Sequence, residues 1–149
     1  TMRVYGPDLL LALCDAGRAA GLRHFFFGGQ PGVAEKLRDR LTARFPGLMV
    51  VGTATPPFRE LSAAELAGLK EEVARTAADI VWVGLSTPKQ EKFMAGVWEQ
   101  LDASVLIGVG AAFDFHSGRI AQAPRWMQRS GLEWLHRLAT EPRRLWPRY

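Results

Sequence analysis

This sequence has almost no cysteine and no cluster of metal-binding residues. Its 149 residues hold one cysteine, Cys14, so no disulfide can form within the chain and a reducing compartment is expected. His24, His116 and His136 are isolated, and no spacing of His, Cys, Asp or Glu indicates zinc. We therefore predict neither a disulfide scaffold nor a metal centre. Because Cys14 lies in an apolar helical pattern, we expect it to be a buried, inert thiol.

Several catalytic and targeting signatures are absent as well. Gly-x-Ser-x-Gly does not occur, which removes support for an α/β-hydrolase nucleophile. There is no Asp-x-Asp stretch to hold a divalent metal on a nucleotide sugar, and no apolar run approaches the ~20 residues of a membrane span. The first residues show no signal-peptide pattern. Because no strand precedes the first predicted helix, we expect the natural chain to contain further amino-terminal sequence.

What is present is the composition of a soluble globular domain with an uneven charge distribution. The chain is 48% hydrophobic and 23% charged, and its length suits one domain. Residues 1–118 hold 12 Lys/Arg against 13 Asp/Glu, a net charge of −1, whereas residues 119–149 hold 7 Arg against 2 Glu, a net charge of +5. We therefore divide the chain into an α/β domain, 1–118, and a helical, basic appendage, 119–149.

Strand and helix patterns alternate four times between residues 8 and 109. Short apolar runs predict strands at 23–27, 48–52, 80–83 and 104–109, the last two buried on both faces. Helices are predicted at 8–20, 33–45, 62–77 and 88–101. Asp8 and Thr87 are expected N-caps, and Ser62 with Glu65 makes a capping box. This alternation predicts an α/β fold, a Rossmann-like parallel sheet flanked by helices.

Polar residues follow the strand predicted at 80–83, namely Ser86, Thr87, Lys89 and Gln90. In open α/β sheets, ligands bind at the carboxyl ends of strands, near helix N-termini whose free N–H groups favour anions. Lys89 and Gln90 would add a charge and an amide to such a site. An ordinary capped turn with two solvated polar residues explains the stretch equally well.

A glycine-rich loop follows the strand predicted at 23–27. Gly28, Gly29, Gln30, Pro31 and Gly32 stand between that strand and a helix, which is the outline of a phosphate-binding loop. The full Gly-x-Gly-x-x-Gly spacing and a Walker-type Lys-Ser/Thr are both missing. Glycines that merely permit a tight turn are therefore the simpler explanation.

Asp114 is a further candidate, because it lies between Phe113 and Phe115 after the last predicted strand. Burial there would favour the protonated carboxyl group and make Asp114 a candidate for proton transfer. A hydrogen-bonded contact that holds the loop together is the simpler alternative.

The carboxyl end combines arginine with tryptophan. Trp126, Trp134 and Trp146 are interleaved with the seven arginines of residues 119–149, and two helical pieces are predicted, at 123–129 and 132–138. Such a segment suits a membrane interface, a pyrophosphate or a nucleic acid. A helical lid that packs its tryptophans on the sheet or on a neighbouring subunit, with its arginines in solvent, is an equal alternative.

Six motifs together resemble the WecG/TagA/CpsF glycosyltransferases, and the resemblance covers nearly all 149 residues in order. They are Val4-Tyr5-Gly6-Pro7-Asp8-Leu9, Phe27-Gly28-Gly29-Gln30-Pro31-Gly32, Val83-Gly84-Leu85-Ser86-Thr87-Pro88-Lys89-Gln90-Glu91, Gly108-Val109-Gly110-Ala111-Ala112-Phe113-Asp114-Phe115, Ala123-Pro124-Arg125-Trp126-Met127, and Gly131-Leu132-Glu133-Trp134-Leu135-His136-Arg137-Leu138 with Glu141-Pro142-Arg143-Arg144. The resemblance implies a membrane-associated enzyme that transfers an N-acetylmannosamine-type sugar from a UDP donor to a polyprenyl-pyrophosphate-linked sugar, without a cofactor. It also implies a cytoplasmic enzyme, peripheral on the inner face of the bacterial membrane.

The resemblance also assigns roles to individual residues. The family's active-site glutamine falls on Gln90, and the arginine before its Gly-Pro-Asp motif falls on Arg3. The arginines that close over the donor diphosphate match Arg137 and Arg144, followed by Arg143 and Arg148. The family's proposed base is an aspartate of an Asp-Gly motif that would lie upstream of residue 1. With Asp114 as a third catalytic candidate, the expected donor-binding residues are Gly28, Gly29, Gln30, Ser86, Thr87, Lys89 and these arginines.

Two alternatives to a transferase stay open at this point. One is a nucleotide-sugar-binding module without catalysis, which the missing base would explain. The other is a nucleic-acid-binding protein, because the carboxyl end is basic and aromatic. The second leaves the polar residues at the strand ends unexplained, so nucleic acid is not among the partners we expect. The expected partners are the UDP-sugar, the lipid-linked acceptor and an anionic membrane surface.

Overall fold

The computed structural model of the chain describes residues 4–146, apart from the side chain of Arg144. Within that range it contains a parallel sheet of four strands in the order β2-β1-β3-β4. The strands are β1 (Arg23–Gly28), β2 (Met49–Ala54), β3 (Ile80–Gly84) and β4 (Val105–Gly108). The helices are α1 (Gly6–Ala16), α2 (Val33–Arg44), α3 (Ala63–Thr76), α4 (Lys89–Val97), α5 (Ala112–His116), α6 (Arg125–Arg129), α7 (Glu133–Thr140) and α8 (Pro142–Leu145). The predicted α/β fold is confirmed.

Two hydrophobic cores cover the two faces of the sheet, because successive strand residues point to opposite sides. On one face, Phe26 of β1 and Trp82 of β3 join apolar residues of α1, α2 and α5. On the other face, Phe25 and Phe27 join residues of α3 and α4. Cys14 of α1 is fully buried in the first core, and burial raises the pKa of its thiol to about 12. The expected inert thiol is confirmed.

The two central strands behave as their sequences predict, whereas β4 does not. All five residues of β3 are buried, which confirms a strand covered on both faces. The prediction of a second fully buried strand at 104–109 was wrong, because β4 has no neighbour on its outer side among the described residues and Val105 is 46% exposed. An apolar run therefore marks a strand without showing whether the strand is central or at an edge.

Helix starts were predicted correctly where a capping box exists. Ser62 accepts the Glu65 N–H at 3.1 Å, and Glu65 Oε1 accepts the Ser62 N–H at 3.0 Å. The predicted caps Asp8 and Thr87 were wrong. α1 already begins at Gly6, since Pro7 has the φ angle of a first turn, and α4 begins at Lys89 after a cis Thr87–Pro88 peptide.

The region after β4 is more helical than its sequence suggests. Residues 110–118, expected to be a loop, contain α5, which packs on α1 and α2. His116 Nε2 donates a hydrogen bond to the Pro7 carbonyl at 2.8 Å and so joins α5 to α1. The two helical pieces predicted at 123–138 correspond to α6 and α7.

The carboxyl-terminal helices contact the rest of the chain through a few polar and aromatic side chains. Arg125 of α6 lies 3.2 Å from the Asp8 carboxylate of α1. Arg137 of α7 lies over the Phe115 ring, 5.8 Å from its centroid. The division into two domains at residue 118 stays a prediction. In the part of the chain that the structure covers, 4–146, the helices are all too short or too polar to cross a membrane.

Candidate active site

The strands β1 and β3 end in a pair of glycines that bring their backbones together. Gly28 and Gly84 are register partners, and the Gly29 N–H donates to the Gly84 carbonyl at 3.0 Å. Gly28 has a φ of 140°, and a Cβ atom there would collide with the Gly84 carbonyl. A Cβ atom on Gly84 would lie 2.6 Å from the Phe113 ring. These glycines are therefore needed where the chain turns from the sheet toward the two following helices.

A cavity of about 440 Å³ lies directly beyond these glycines, and we call it the strand-end cavity. It is bounded by the loop between β1 and α2, by the start of α4, by the loop after β2 and by the start of α5. Seven of the predicted site residues line it: Gly29, Gln30, Ser86, Thr87, Lys89, Asp114 and Arg137. Its other lining residues are Pro56, Pro57, Phe58, Gly84, Leu85, Gly110, Ala111 and Arg119. The fold therefore brings these residues from different strand ends to one cavity, and their role in donor binding stays a prediction.

The charged side chains of the strand-end cavity are mostly positive. Lys89 is exposed and its Nζ donates to the Phe58 carbonyl at 3.3 Å, while Arg137 extends from α7 on the opposite side. Arg119 Nη1 lies 3.1 Å from Asp114 Oδ1, so this pair is electrically balanced. Lys89 and Arg137 therefore leave a positive excess beside the N-terminus of α4, an arrangement that favours a diphosphate.

Gln90 lies beneath the cavity, where it joins two strand ends. Its Oε1 accepts the Gly110 N–H at 2.9 Å and the Leu85 N–H at 3.4 Å, and only 9% of the residue is exposed. Gly108 of β4 makes room for this amide, because a Cβ atom at that position would collide with Gln90 Nε2. The side chain thus holds the loops after β3 and β4 together. Its catalytic role stays a prediction.

The remaining predicted residues lie elsewhere or outside the description. Gly28 lies behind the cavity wall in β1, and Arg143 is exposed on α8. Arg3, Arg148 and the side chain of Arg144 lie outside the described part of the chain. Asp114 forms an ion pair with Arg119, which is the loop contact named as the alternative to proton transfer.

The sequence did not single out Arg119 or the loop 56–58 as parts of this site. Arg119 follows Gly118, and its partner Asp114 is five residues earlier, so no helical spacing connects them. Phe58 is largely exposed at the rim of the cavity. The pair Pro56-Pro57 after a strand indicated a stiff loop, but its side of the sheet depends on tertiary packing.

A second cavity, of about 500 Å³, adjoins the first, and we call it the Tyr5 cavity. It shares Ala111 and Arg137 with the strand-end cavity. Its other lining residues are Tyr5, Gly6, Pro7, Gly108, Val109, Ala112, Phe115, Gly131, Glu133 and Trp134. Burial and a side-chain hydrogen bond to Glu133 raise the pKa of Tyr5. Neither Tyr5 nor Glu133 was a predicted site residue.

No group of three or more His, Cys, Asp or Glu side chains suited to a metal ion occurs in the described range, 4–146. The polar side chains that line the strand-end cavity are those of Gln30, Ser86, Thr87 and Asp114 and the cationic side chains of Lys89, Arg119 and Arg137.

Comparison with known proteins supports the assignment that the motifs suggested. The sequence matches the model of the Glycosyl transferase WecG/TagA/CpsF family over residues 1–149. It is 30% identical over 146 residues to an N-acetylglucosaminyldiphosphoundecaprenol N-acetyl-beta-D-mannosaminyltransferase of Bacillus subtilis (strain 168), which covers 98% of this chain and 55% of that protein. An enzyme of the same name from Bacillus spizizenii is 31% identical over 142 residues, 95% of this chain and 53% of that protein.

The chain therefore spans about half the length of these relatives. With a match over its full length, it belongs to the WecG/TagA/CpsF family of glycosyltransferases.

Proposed function

We propose that this chain is the donor-binding part of a hexosyltransferase, which moves an N-acetylmannosamine-type sugar from UDP to a polyprenyl-diphosphate-linked sugar in the synthesis of a bacterial surface polysaccharide. The observation that carries the proposal is the strand-end cavity, where the loops after β1, β3 and β4, the start of α4 with Lys89, and Arg137 surround one space. The names of the Bacillus relatives describe transfer of N-acetylmannosamine to a sugar on diphosphoundecaprenol.

In the proposed reaction, a hydroxyl of the acceptor sugar attacks the anomeric carbon of the donor, and the bond from that carbon to the UDP oxygen breaks. The acceptor hydroxyl loses its proton to a base, and UDP leaves with one additional negative charge. That charge develops beside Lys89, at the start of α4, and beside Arg137. Groups placed where charge develops stabilise the transition state more than the ground state.

Gln90 has a positioning role in this proposal. Because it fixes the N–H groups of Leu85 and Gly110, it holds the two loops that bring Ser86 and Ala111 to the cavity. The family resemblance places the base on an aspartate upstream of residue 1. Asp114 is the alternative candidate within the chain, and its Oδ1 lies 3.1 Å from Arg119 Nη1.

Titration calorimetry with UDP and UDP-N-acetylmannosamine tests donor binding. We expect both ligands to bind, and we expect Arg137→Ala to weaken both. Release of UDP in the presence of a lipid-diphosphate-linked N-acetylglucosamine then tests turnover. Binding without turnover would identify the chain as a nucleotide-sugar-binding module, and a lack of UDP binding would contradict the proposal.

The proposed acceptor is a lipid, so the reaction requires contact with a membrane surface. Trp126, Trp134, Leu135 and Trp146 are exposed on or next to α6, α7 and α8, and residues 119–149 carry a net charge of +5. Exposed tryptophan combined with arginine suits the interface of an anionic bilayer. We therefore place the protein on the inner face of the bacterial cell membrane.

Vesicle flotation tests this membrane contact with the whole chain. We expect binding to vesicles rich in phosphatidylglycerol and weaker binding to phosphatidylcholine vesicles. The double variant Trp126→Ser, Trp146→Ser should bind less than the wild type. Trp98→Ser is the matched control, because Trp98 is also exposed but lies at the end of α4. Equal binding by all variants would contradict the membrane contact.

A further inference from the structure

Most of the residues that line the Tyr5 cavity are apolar or aromatic, so a diphosphate finds few partners there. Tyr5, Phe115 and Trp134 contribute rings, and Val109 and Ala112 contribute aliphatic surface. Its charged residues are Glu133 and Arg137, which oppose each other in sign. A ligand that suits this wall has a weakly polar face together with several hydroxyl or amide groups, and it carries little net charge.

Arg137 connects this cavity to the strand-end cavity. Its side chain lines both spaces, and its guanidinium group is held over the Phe115 ring at 5.8 Å from the centroid. Ala111, at the start of α5, is the other shared residue. A ligand whose diphosphate lies beside Arg137 in the strand-end cavity would therefore extend its next group into the Tyr5 cavity.

The polar groups of the Tyr5 cavity are already arranged by contacts within the protein. The Tyr5 side chain is hydrogen-bonded to the Glu133 side chain, and the positive charge of Arg137 and the side chain of Gln122 are also close enough to affect Tyr5. This network fixes a carboxylate, a phenol and a guanidinium along one wall, while Trp134 contributes a half-exposed indole. Fixed donors and acceptors beside a flat aromatic side chain suit a pyranose ring, which has one apolar face and polar edges.

We infer that the Tyr5 cavity binds an N-acetylhexosamine ring of the reacting pair, with Trp134 against the apolar face of the sugar and Tyr5 and Glu133 hydrogen-bonded to its hydroxyl or acetamido groups. This inference rests on the proposed function, which places the diphosphate in the strand-end cavity. Both sugars of the proposed reaction are N-acetylhexosamines, so the ring bound in the Tyr5 cavity belongs either to the donor or to the acceptor.

The experiment measures three affinities by titration calorimetry on the whole chain. The ligands are UDP, UDP-N-acetylmannosamine, and, in the presence of UDP, a water-soluble N-acetylglucosaminyl diphosphate with a short isoprenoid chain. The variants are Trp134→Ala, Tyr5→Phe and the control Trp98→Ala, whose tryptophan is exposed and lines neither cavity. Circular dichroism checks that each variant is folded, and Trp134→Phe keeps a ring at the position if Trp134→Ala unfolds.

We expect Trp134→Ala to weaken binding of one sugar ligand about tenfold, which corresponds to ~1.4 kcal/mol, and to change UDP affinity less than about twofold. A selective loss for UDP-N-acetylmannosamine would place the donor sugar in the Tyr5 cavity. A selective loss for the lipid-like ligand would place the acceptor sugar there. Tyr5→Phe should weaken binding of the same ligand, because the substitution removes the phenol hydroxyl and leaves the ring.

Two results would overturn the inference and leave the proposed function intact. One is unchanged affinity of both sugar ligands in Trp134→Ala and Tyr5→Phe. The other is an equal loss of affinity for UDP itself, which would show that Trp134 acts on the nucleotide. If the wild-type chain does not bind UDP, the proposed function fails first, and the Tyr5 cavity loses its assigned ligand with it.

Discussion

The indole Nε1 of Trp82 donates a 2.9 Å hydrogen bond to Nδ1 of His24 inside the first core. Both side chains are fully buried, and their rings lie nearly parallel, with 14° between the planes. Because Nδ1 accepts, the neutral ring carries its proton on Nε2, which is buried without a hydrogen-bond partner in the structure. A second proton on the ring would replace the acceptor at Nδ1 with a donor that faces the indole N–H.

This pair predicts that the protein loses stability as the pH falls. Burial lowers the pKa of His24 below its ordinary value of 6.5, although the nearby Asp79 carboxylate raises it in part. The unfolded chain therefore takes up a proton on His24 below about pH 6.5 before the folded chain does. The free energy of unfolding should be highest above that pH and should decrease as the pH falls toward the folded pKa.

Urea unfolding midpoints at pH 7.5 and pH 5.5 measure this loss. Burial also lowers the pKa of His116, so part of the pH dependence belongs to that residue. His24→Phe should reduce the difference between the two midpoints, and the remaining difference should decrease again in the double variant with His116→Gln. An equal difference in the wild type and in His24→Phe would show that His24 is not responsible.

The sequence predicted those elements whose signals are local. The strand β3 is an uninterrupted apolar run, and Ser62 with Glu65 closes a capping box within three residues, so both could be found without knowledge of the fold. Gln30, Lys89 and other residues predicted at strand ends line one cavity, because parallel strands bring their carboxyl ends to one edge, and their role in binding stays a prediction.

Features that depend on distant contacts were missed. Asp8 looked like a helix cap, but Pro7 allows α1 to start earlier, and the Asp8 carboxylate contacts Arg125, which is 117 residues away. Tyr5 meets Glu133 only because α7 packs near the start of α1, and no spacing in the sequence connects the two. The Tyr5 cavity therefore required the three-dimensional arrangement.

A substitution at Gly108 tests how tightly the Gln90 side chain is packed. Gly108→Ala places a methyl group against the Gln90 amide and 3.0 Å from the Met94 sulfur, so we expect a loss of about 1–3 kcal/mol in the free energy of unfolding. Gly96→Ala is the matched control, because Gly96 lies in α4 with open space around its Cβ position. That control should gain about 0.5–1 kcal/mol, since alanine favours a helix over glycine. Equal unfolding midpoints for the two variants would contradict the packing described for Gly108.

Two variants separate the structural contribution of Gln90 from its chemical contribution. Gln90→Ala leaves the Gly110 N–H without its acceptor, which should cost about 1–3 kcal/mol of stability. Gln90→Glu keeps an oxygen acceptor for that N–H and removes the amide nitrogen. The added carboxylate of Gln90→Glu should weaken UDP binding by itself, so turnover is compared at saturating donor. If Gln90 only positions the loops, Gln90→Glu should then retain much of the turnover that Gln90→Ala loses. A loss of turnover at saturating donor in both variants would instead assign a chemical role to the amide.

The ion pair between Asp114 and Arg119 determines how strongly each residue affects the affinity for the donor. Arg137 is held over the Phe115 ring, whereas Arg119 Nη1 lies 3.1 Å from the Asp114 carboxylate, which balances its charge. Arg137→Ala should therefore weaken UDP binding about tenfold or more, and Arg119→Ala should weaken it less. Arg75→Ala is the control, because Arg75 is exposed on α3 and pairs with Glu72.

Asp114→Asn separates electrostatics from proton transfer at the same pair. Loss of the carboxylate leaves the Arg119 charge uncompensated beside the strand-end cavity, so UDP affinity should stay the same or increase. If Asp114 only holds Arg119, turnover measured as UDP release should fall less than about tenfold. If Asp114 is the base that accepts the proton of the acceptor hydroxyl, turnover should fall by about 10²-fold or more, because general-base catalysis contributes at least that much. Calorimetry and the UDP-release assay on the same preparation distinguish the two, and a loss of UDP binding in Asp114→Asn would contradict both.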